Sequence, residues 1–190
     1  MLRDTILKAR SYRSFDSSVK IDEATLIEFI DDARISSATM NIQPLKYRIV
    51  NGGEELSAIL SLSRFASSLG IKLPPEGHEP TAFIVICHDD GVTPFKPIFL
   101  KDVGICAEVI MLSAAEKGFG GCMIGSANPD AVSEALSLPE NLTPQLLIAL
   151  GKPDETVVLE DSADGEVKYY RDENNVHHVP KRRLEDVIVK

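Results

Sequence analysis

The chain has 190 residues, 44% of them apolar and 26% charged, with a formal net charge of -9. That length supports one sizeable core, and the acidic balance argues against the broad basic face that nucleic-acid binding needs. No apolar run approaches the roughly 20 residues of a membrane span, Met1–Asp4 lacks a signal-peptide stretch, and Cys87, Cys106 and Cys122 are too widely spaced for a zinc or disulfide pattern, so a cytoplasmic protein with buried free thiols is expected.

Residues 2–9 read as a short helix. It leads into Arg10-Ser11-Tyr12-Arg13-Ser14-Phe15, a basic islet in an acidic chain. Two guanidiniums three residues apart, with a hydroxyl between them, suit a phosphate, which Arg grips with a planar fork of donors. Asp22 is a good N-cap for a helix whose Leu26, Ile27, Ile30 and Ala33 recur at helical spacing. The loop Ser36–Pro44 follows, rich in small and amide residues, with Asn41 and Gln43 as paired donors and acceptors. Leu45, Tyr47 and Ile49 then share one face of a strand. A helix is expected over 54–69, with Leu56, Ile59 and Leu60 inward and Gly70 just past its end. Leu73-Pro74-Pro75-Glu76-Gly77 is a turn-rich connector.

Ala82–Cys87 is short and continuously apolar, which predicts a central strand buried on both faces. From about Ile98 to Lys117 runs the longest helix, apolar almost all round and therefore expected in the middle of the molecule. Gly118 ends it, and Phe119–Ile124 reads as a strand studded with glycines at 118, 120, 121 and 125. Glycine lets backbone approach a ligand closely, although the spacing is not that of a dinucleotide fingerprint. Asn128-Pro129 opens a further helix, and Leu146–Gly151 is the last clear core strand. Residues 154–180 are polar and lack a strong period, so they are expected either to be disordered or to lie on another surface such as a partner subunit. His177 and His178 fall there and read as surface or interface residues. The stretch ends in a second basic islet, Lys181-Arg182-Arg183.

In this order, the motifs resemble the nitroreductase family of FMN-dependent NAD(P)H oxidoreductases over nearly the whole chain. They comprise Arg-Ser-x-Arg-x-Phe at 10–15, Asn-x-Gln-Pro at 41–44, Asp-x-Gly at 102–104, Gly-Phe-Gly-Gly at 118–121, Leu-Gly-Lys-Pro at 150–153 and Lys-x-Arg at 181–183. The resemblance implies an α+β fold, with a central, mostly antiparallel sheet flanked by helices and a long central helix, assembled as a homodimer. It implies one FMN-binding domain over 1–190, with 154–190 an arm packing on the partner subunit. Arg10 and Ser11 would contact the FMN phosphate and ribityl chain, and Arg13 the N1/O2 edge of the ring. Thr39 and Asn41 would line the isoalloxazine from the other subunit, the backbone at Ile124 and Gly125 would approach N5 and O4, and Lys181 and Arg183 would close over the phosphate. NADH or NADPH would be the donor, and a nitroaromatic or quinone the acceptor. The flavin carries the redox step, so no catalytic side chain and no metal is expected. Ala9, Ala38 and Leu45 stand where relatives commonly have Arg, Ser and an aromatic residue. Two alternatives remain open: another flavin chemistry on the same scaffold, such as dehalogenation or flavin fragmentation, and a flavin-binding module without turnover.

Overall fold

The computed structural model describes residues 1–66 and 69–189, and the chain divides into two compact units, Met1–Pro153 and Asp154–Lys190. In the first unit the hydrogen-bonded centre is a pair of antiparallel strands, β3 (Ala82–Asp89) and β5 (Leu142–Pro153). Every residue of β3 is buried, as its unbroken apolar run predicts, because both faces of the strand carry packed layers. β2 (Leu45–Val50) pairs with the outer edge of β3, and β4 (Gly120–Ile124) with the outer edge of β5, all antiparallel. A short β1 (Phe15–Asp16) joins the end of β5 through Phe15 and Pro153.

Two apolar layers sandwich this sheet. On one face lie α2 (Glu23–Arg34) and α4 (Leu100–Glu116), the latter preceded by a 3-10 turn over Pro97–Phe99. Leu26, Phe29, Ala107, Ile110 and Ala114 are wholly buried there against Ile84, Ile86 and Ile148. On the other face α3 (Gly53–Leu62) and α5 (Pro129–Ala135) cover Phe83, Val85 and Ala149 with Ile59 and Val132. α1 (Leu2–Lys8) packs on α4. The expected caps are present: Asp22 accepts from Thr25 N at 2.7 Å, and Asn128 from Ala131 N at 3.0 Å. Gly118, at φ +78°, ends α4 in the left-handed conformation that favours glycine.

The structure corrects several expectations. Ile27 is 52% exposed, and Phe29 takes the inward place on α2. α3 stops at Leu62 rather than near 69, since Ser63 is already extended; part of the expected stretch, Ser67 and Ser68, lies outside the described residues. α4 is not buried all round, because Lys101, Gly104, Ile105 and Glu108 form an exposed stripe along it. Residues 154–180 are not a structureless arm.

They form the second unit, a three-stranded sheet in which β6 (Val157–Asp161) runs parallel to β8 (His177–Lys181) and β7 (Tyr170–Arg171) pairs antiparallel with β8. Its strands are too short, and too dependent on polar contacts, for a two-residue period to show. Arg171 pairs with Glu155, both side chains largely withdrawn from water. His178 lies between Glu160 and Asp172, at 3.2 and 3.4 Å, and stacks on Tyr170 with centroids 4.7 Å apart. His177 is fully buried beside Tyr169, which corrects its reading as a surface residue. A short α6 (Leu184–Val187) closes this unit.

Candidate functional site

Arg10-Ser11-Tyr12-Arg13 runs along the free edge of β4. Ser11 bridges to Gly121, and Tyr12 N donates to Gly121 O at 2.8 Å. The glycines explain how the segment is seated. Gly120 and Gly151 are direct partners across β4 and β5. A Cβ at Gly120 would stand 2.5 Å from the Tyr12 ring, and one at Gly151 would stand 2.8 Å from the Phe15 ring. The two aromatic rings therefore fill two bare notches, and they anchor the segment that carries both arginines. At Gly121 a Cβ would meet Ala149 O at 2.4 Å and Met111 Sδ at 2.9 Å. These three glycines serve protein packing. Gly125, whose Cβ would find only Leu146 Cδ1 at 3.8 Å, is the one of this group left open to a ligand.

The arginines suit an anion. Arg13 is 9% exposed, and its Nη1 donates to Ser11 O at 3.0 Å. Arg10 reaches back to Ile6 O, yet its Nε is buried without a hydrogen-bond partner among the described residues. A half-buried cation with an unspent Nε donor, three residues from a buried one, matches the chemistry of a phosphate or an anionic ring edge. Ile124 and Gly125 lie further along the same edge, since Ile124 pairs with Leu147 where Gly121 pairs with Leu150. Five of the expected cofactor residues, Arg10, Ser11, Arg13, Ile124 and Gly125, thus share one margin of the first unit.

Thr39 and Asn41 do not join them. They lie in the turn that enters β2, on the opposite margin of the sheet. Four strand spacings, about 19 Å, separate Ser11 from β2. Leu45 pairs with His88, and His88 with Thr143, seven residues along β5 from Leu150, which adds about 20 Å along the strands. The arginine segment and the Thr39 turn occupy diagonal corners of one chain, with Ile124, opposite Leu147, between them along the strands.

The Thr39 corner carries signs of its own. Met40, Asn41 and Gln43 all have positive φ, at 50°, 55° and 55°, a conformation that costs non-glycine residues on the order of 1 kcal/mol each and persists only where surroundings enforce it. Gln43 Nε2 donates to Asn41 Oδ1 at 3.0 Å. Sequence reasoning missed what holds the loop. Asp102, 2% exposed in the first turn of α4, accepts from Thr39 N at 2.9 Å and from Thr39 Oγ1 at 2.7 Å. Its sequence signals were the Asp-x-Gly motif at 102–104 and a carboxylate in a largely apolar helix, and neither showed what it holds. Behind the loop is a cavity of about 350 Å³, walled by Arg34, Ser37, Leu45, Tyr47, Asp102 and Cys106 among others. Burial, then the neighbouring Cys106 and Asp102, push the Tyr47 hydroxyl well above its usual range, so it stays protonated and can donate.

Lys181 ends β8 and Arg183 precedes α6; both are exposed in the second unit. Among the described residues no cluster of His, Cys, Asp or Glu could hold a metal, and no helix is long and apolar enough to cross a membrane.

An antiparallel sheet between two helical layers, with an arginine segment along one margin, defines an α+β protein. Comparison with known proteins narrows that class. The profile of the Nitroreductase family matches residues 6–152. A protein of Archaeoglobus fulgidus, provisionally named NADH dehydrogenase/NAD(P)H nitroreductase, is 26% identical over 153 residues, covering 78% of this chain and 83% of the relative. A nitroreductase family protein from Streptococcus pneumoniae TIGR4 superposes with a TM-score of 0.72 at 17% identity, over 100% of both chains. A relative from Exiguobacterium sibiricum 255-15, solved in complex with FMN, superposes with a TM-score of 0.66 at 18% identity, over 82% of this chain and 89% of its own. The chain belongs to the nitroreductase family, and is an oxidoreductase of that type.

Proposed function

We propose that two copies of this chain form an FMN oxidoreductase that takes electrons from NADH or NADPH and passes them to an electron-poor acceptor such as a nitroaromatic or a quinone. The observation that carries the reading is the arginine segment seated on β4, with Arg13 buried and Arg10 Nε unspent. When bound, FMN supplies the redox chemistry. The chain's part is to bind, orient and neutralise. Arg10 and Ser11 hold the phosphate end, and Lys181 and Arg183 add charge over it. Arg13 sets a fixed cation against the ring edge that gains negative charge, and Ile124 and Gly125 offer open backbone. The relative solved with FMN supports this cofactor.

The diagonal placement of Thr39 and Asn41 supports a homodimer in which they come from the partner, because one chain cannot bring both corners to a single ring. A second observation agrees. Gly104 sits on the exposed stripe of α4 with nothing within 4 Å of a Cβ built on it. Glycine costs a helix about 1 kcal/mol relative to alanine, and nothing among the described residues requires it there. Ile98, Leu100 and Ile105 are exposed close by. Close approach of a second backbone accounts for both the glycine and the exposed apolar side chains. On this reading 154–190 packs on the partner as part of one functional domain. The three free cysteines fit a reducing, cytoplasmic setting.

The test is a visible absorption spectrum of the purified protein, taken anaerobically before and after NADH and then NADPH. Yellow protein that bleaches, and regains colour when a quinone is added, supports the oxidoreductase and identifies its donor. Colourless protein that takes up no FMN overturns the site. Yellow protein that neither donor bleaches points to a flavin module without turnover.

A further inference from the structure

We propose that Asp102 is a positioning residue of the flavin site: its buried carboxylate ties down the Thr39–Gln43 loop and fixes Thr39 as a hydrogen-bond acceptor towards whatever the loop faces. The inference rests on the FMN reading above.

Asp102 is the third residue of α4, where the positive end of the helix dipole favours an anion. One oxygen, Oδ1, takes both the N–H and the O–H of Thr39. A carboxylate only accepts hydrogen bonds, so both Thr39 donors are spent on it. Thr39 Oγ1 is then left with lone pairs alone to offer outward. Two residues on, Asn41 Oδ1 is taken up by Gln43 Nε2, which leaves the Asn41 amide group as a donor. The loop therefore displays an acceptor at 39 beside a donor at 41, and it suits a ligand edge on which an N–H or O–H adjoins a carbonyl-type oxygen.

The tie also answers why the loop holds its shape. Its positive φ values at Met40, Asn41 and Gln43 oppose the intrinsic preference of those residues. Among the described residues, the loop is secured from outside by the hydrogen bonds of Asp102 to Thr39 at one end and that of Asp89 N to Pro44 O, 2.8 Å, at the other. The pair brackets the strained residues. The second oxygen, Asp102 Oδ2, is buried with no hydrogen-bond partner among the described residues, an arrangement with a standing energetic cost that apolar packing alone would not retain.

The experiment measures amide hydrogen exchange in the flavin-free protein and FMN affinity in the same variants. Asp102→Asn keeps an oxygen for Thr39, whereas Asp102→Ala removes it. In Asp102→Ala the Thr39 and Ile42 amides should exchange at least about tenfold faster while those of β3 and β5 stay protected, and the Kd for FMN should rise about tenfold. Asp102→Asn should stay within about threefold of wild type in both readouts. Thr39→Val, which keeps the N–H and loses the hydroxyl, should leave the loop protected and still weaken FMN binding. Unchanged protection in Asp102→Ala would overturn the tie. Deprotection spreading through β3 and β5 would make Asp102 a general packing residue and overturn the positioning role. If wild-type protein takes up no FMN, the flavin half falls, and loop exchange alone decides whether Asp102 holds Thr39.

Discussion

Single side chains divide here into those that carry charge to the site and those that keep it in place. Arg13 belongs to the first group. Arg13→Ala should slow flavin reduction by about tenfold or more, as loss of a preorganised charge does, and should weaken FMN binding by a smaller factor. Stopped-flow reduction beside a flavin titration makes the comparison, and equal losses would sink the ring-edge role. Gly121 belongs to the second group. Because a Cβ there meets backbone at Ala149 O, Gly121→Ala should cost about 1–3 kcal/mol of stability. Gly125→Ala, with open space around it, should fold with nearly unchanged stability and lose FMN affinity if backbone approaches the ring there. Urea denaturation of the two variants gives the contrast. Burial alone pushes the Cys87 thiol up to about 12, so the thiolate that reacts is scarce at neutral pH. Iodoacetamide at pH 8 should leave Cys87 unmodified in folded protein and label it in urea. What the sequence showed at this scale was residue type; the arginines and the amide loop were legible because their chemistry is. It did not show that Gly120 and Gly151 receive Tyr12 and Phe15, since that contact joins residues more than 100 positions apart.

Helices and strands were read most reliably where a local signal sets them. Asp22 and Asn128 cap as their positions predict, and Ala82–Cys87 is buried on both faces. Backbone bonding to Thr25 holds the Asp22 carboxyl below its usual range. Its contribution is therefore complete at neutral pH and fades as acid protonates it. Asp22→Ala should lower the melting temperature at pH 7 and lower it less near pH 3, as thermal melts at the two pH values would show. Legibility failed where tertiary contacts decide. Ile27 fits the apolar period of α2 yet faces outward, because a 12-residue helix packed on one side buries only one stripe. The exposed line along α4 was hidden for the opposite reason: Ile105 and Gly104 look like core residues, and their apolar character serves a surface. The second unit left no periodic trace because its β7 has only two residues and its buried members include Arg171, Glu155 and His177.

At the scale of the molecule, family membership fixes the scaffold, and the proposed assembly makes claims that reach beyond one chain. Gly104→Glu should leave the monomer folded, since nothing among the described residues opposes a side chain there, and should shift sedimentation from dimer to monomer with loss of bound FMN. A variant that remains dimeric would mean that the α4 stripe is not the contact. Lys181→Ala with Arg183→Ala should chiefly weaken FMN retention, and a double variant that keeps FMN as tightly as wild type would remove the C-terminal islet from the site.

The diagonal separation of Arg13 and Asn41 also determines who owns a site. If each site borrows one corner from each copy, a copy lacking Arg13 and a copy lacking Asn41 are each impaired at both sites as pure dimers, yet complement when mixed. In a mixed pair one site inherits both defects and the other inherits neither. Random reassortment of equal amounts makes half the dimers mixed, so about a quarter of wild-type activity should return. A site contained within one chain would return none, because every copy in the mixture would carry its own defect.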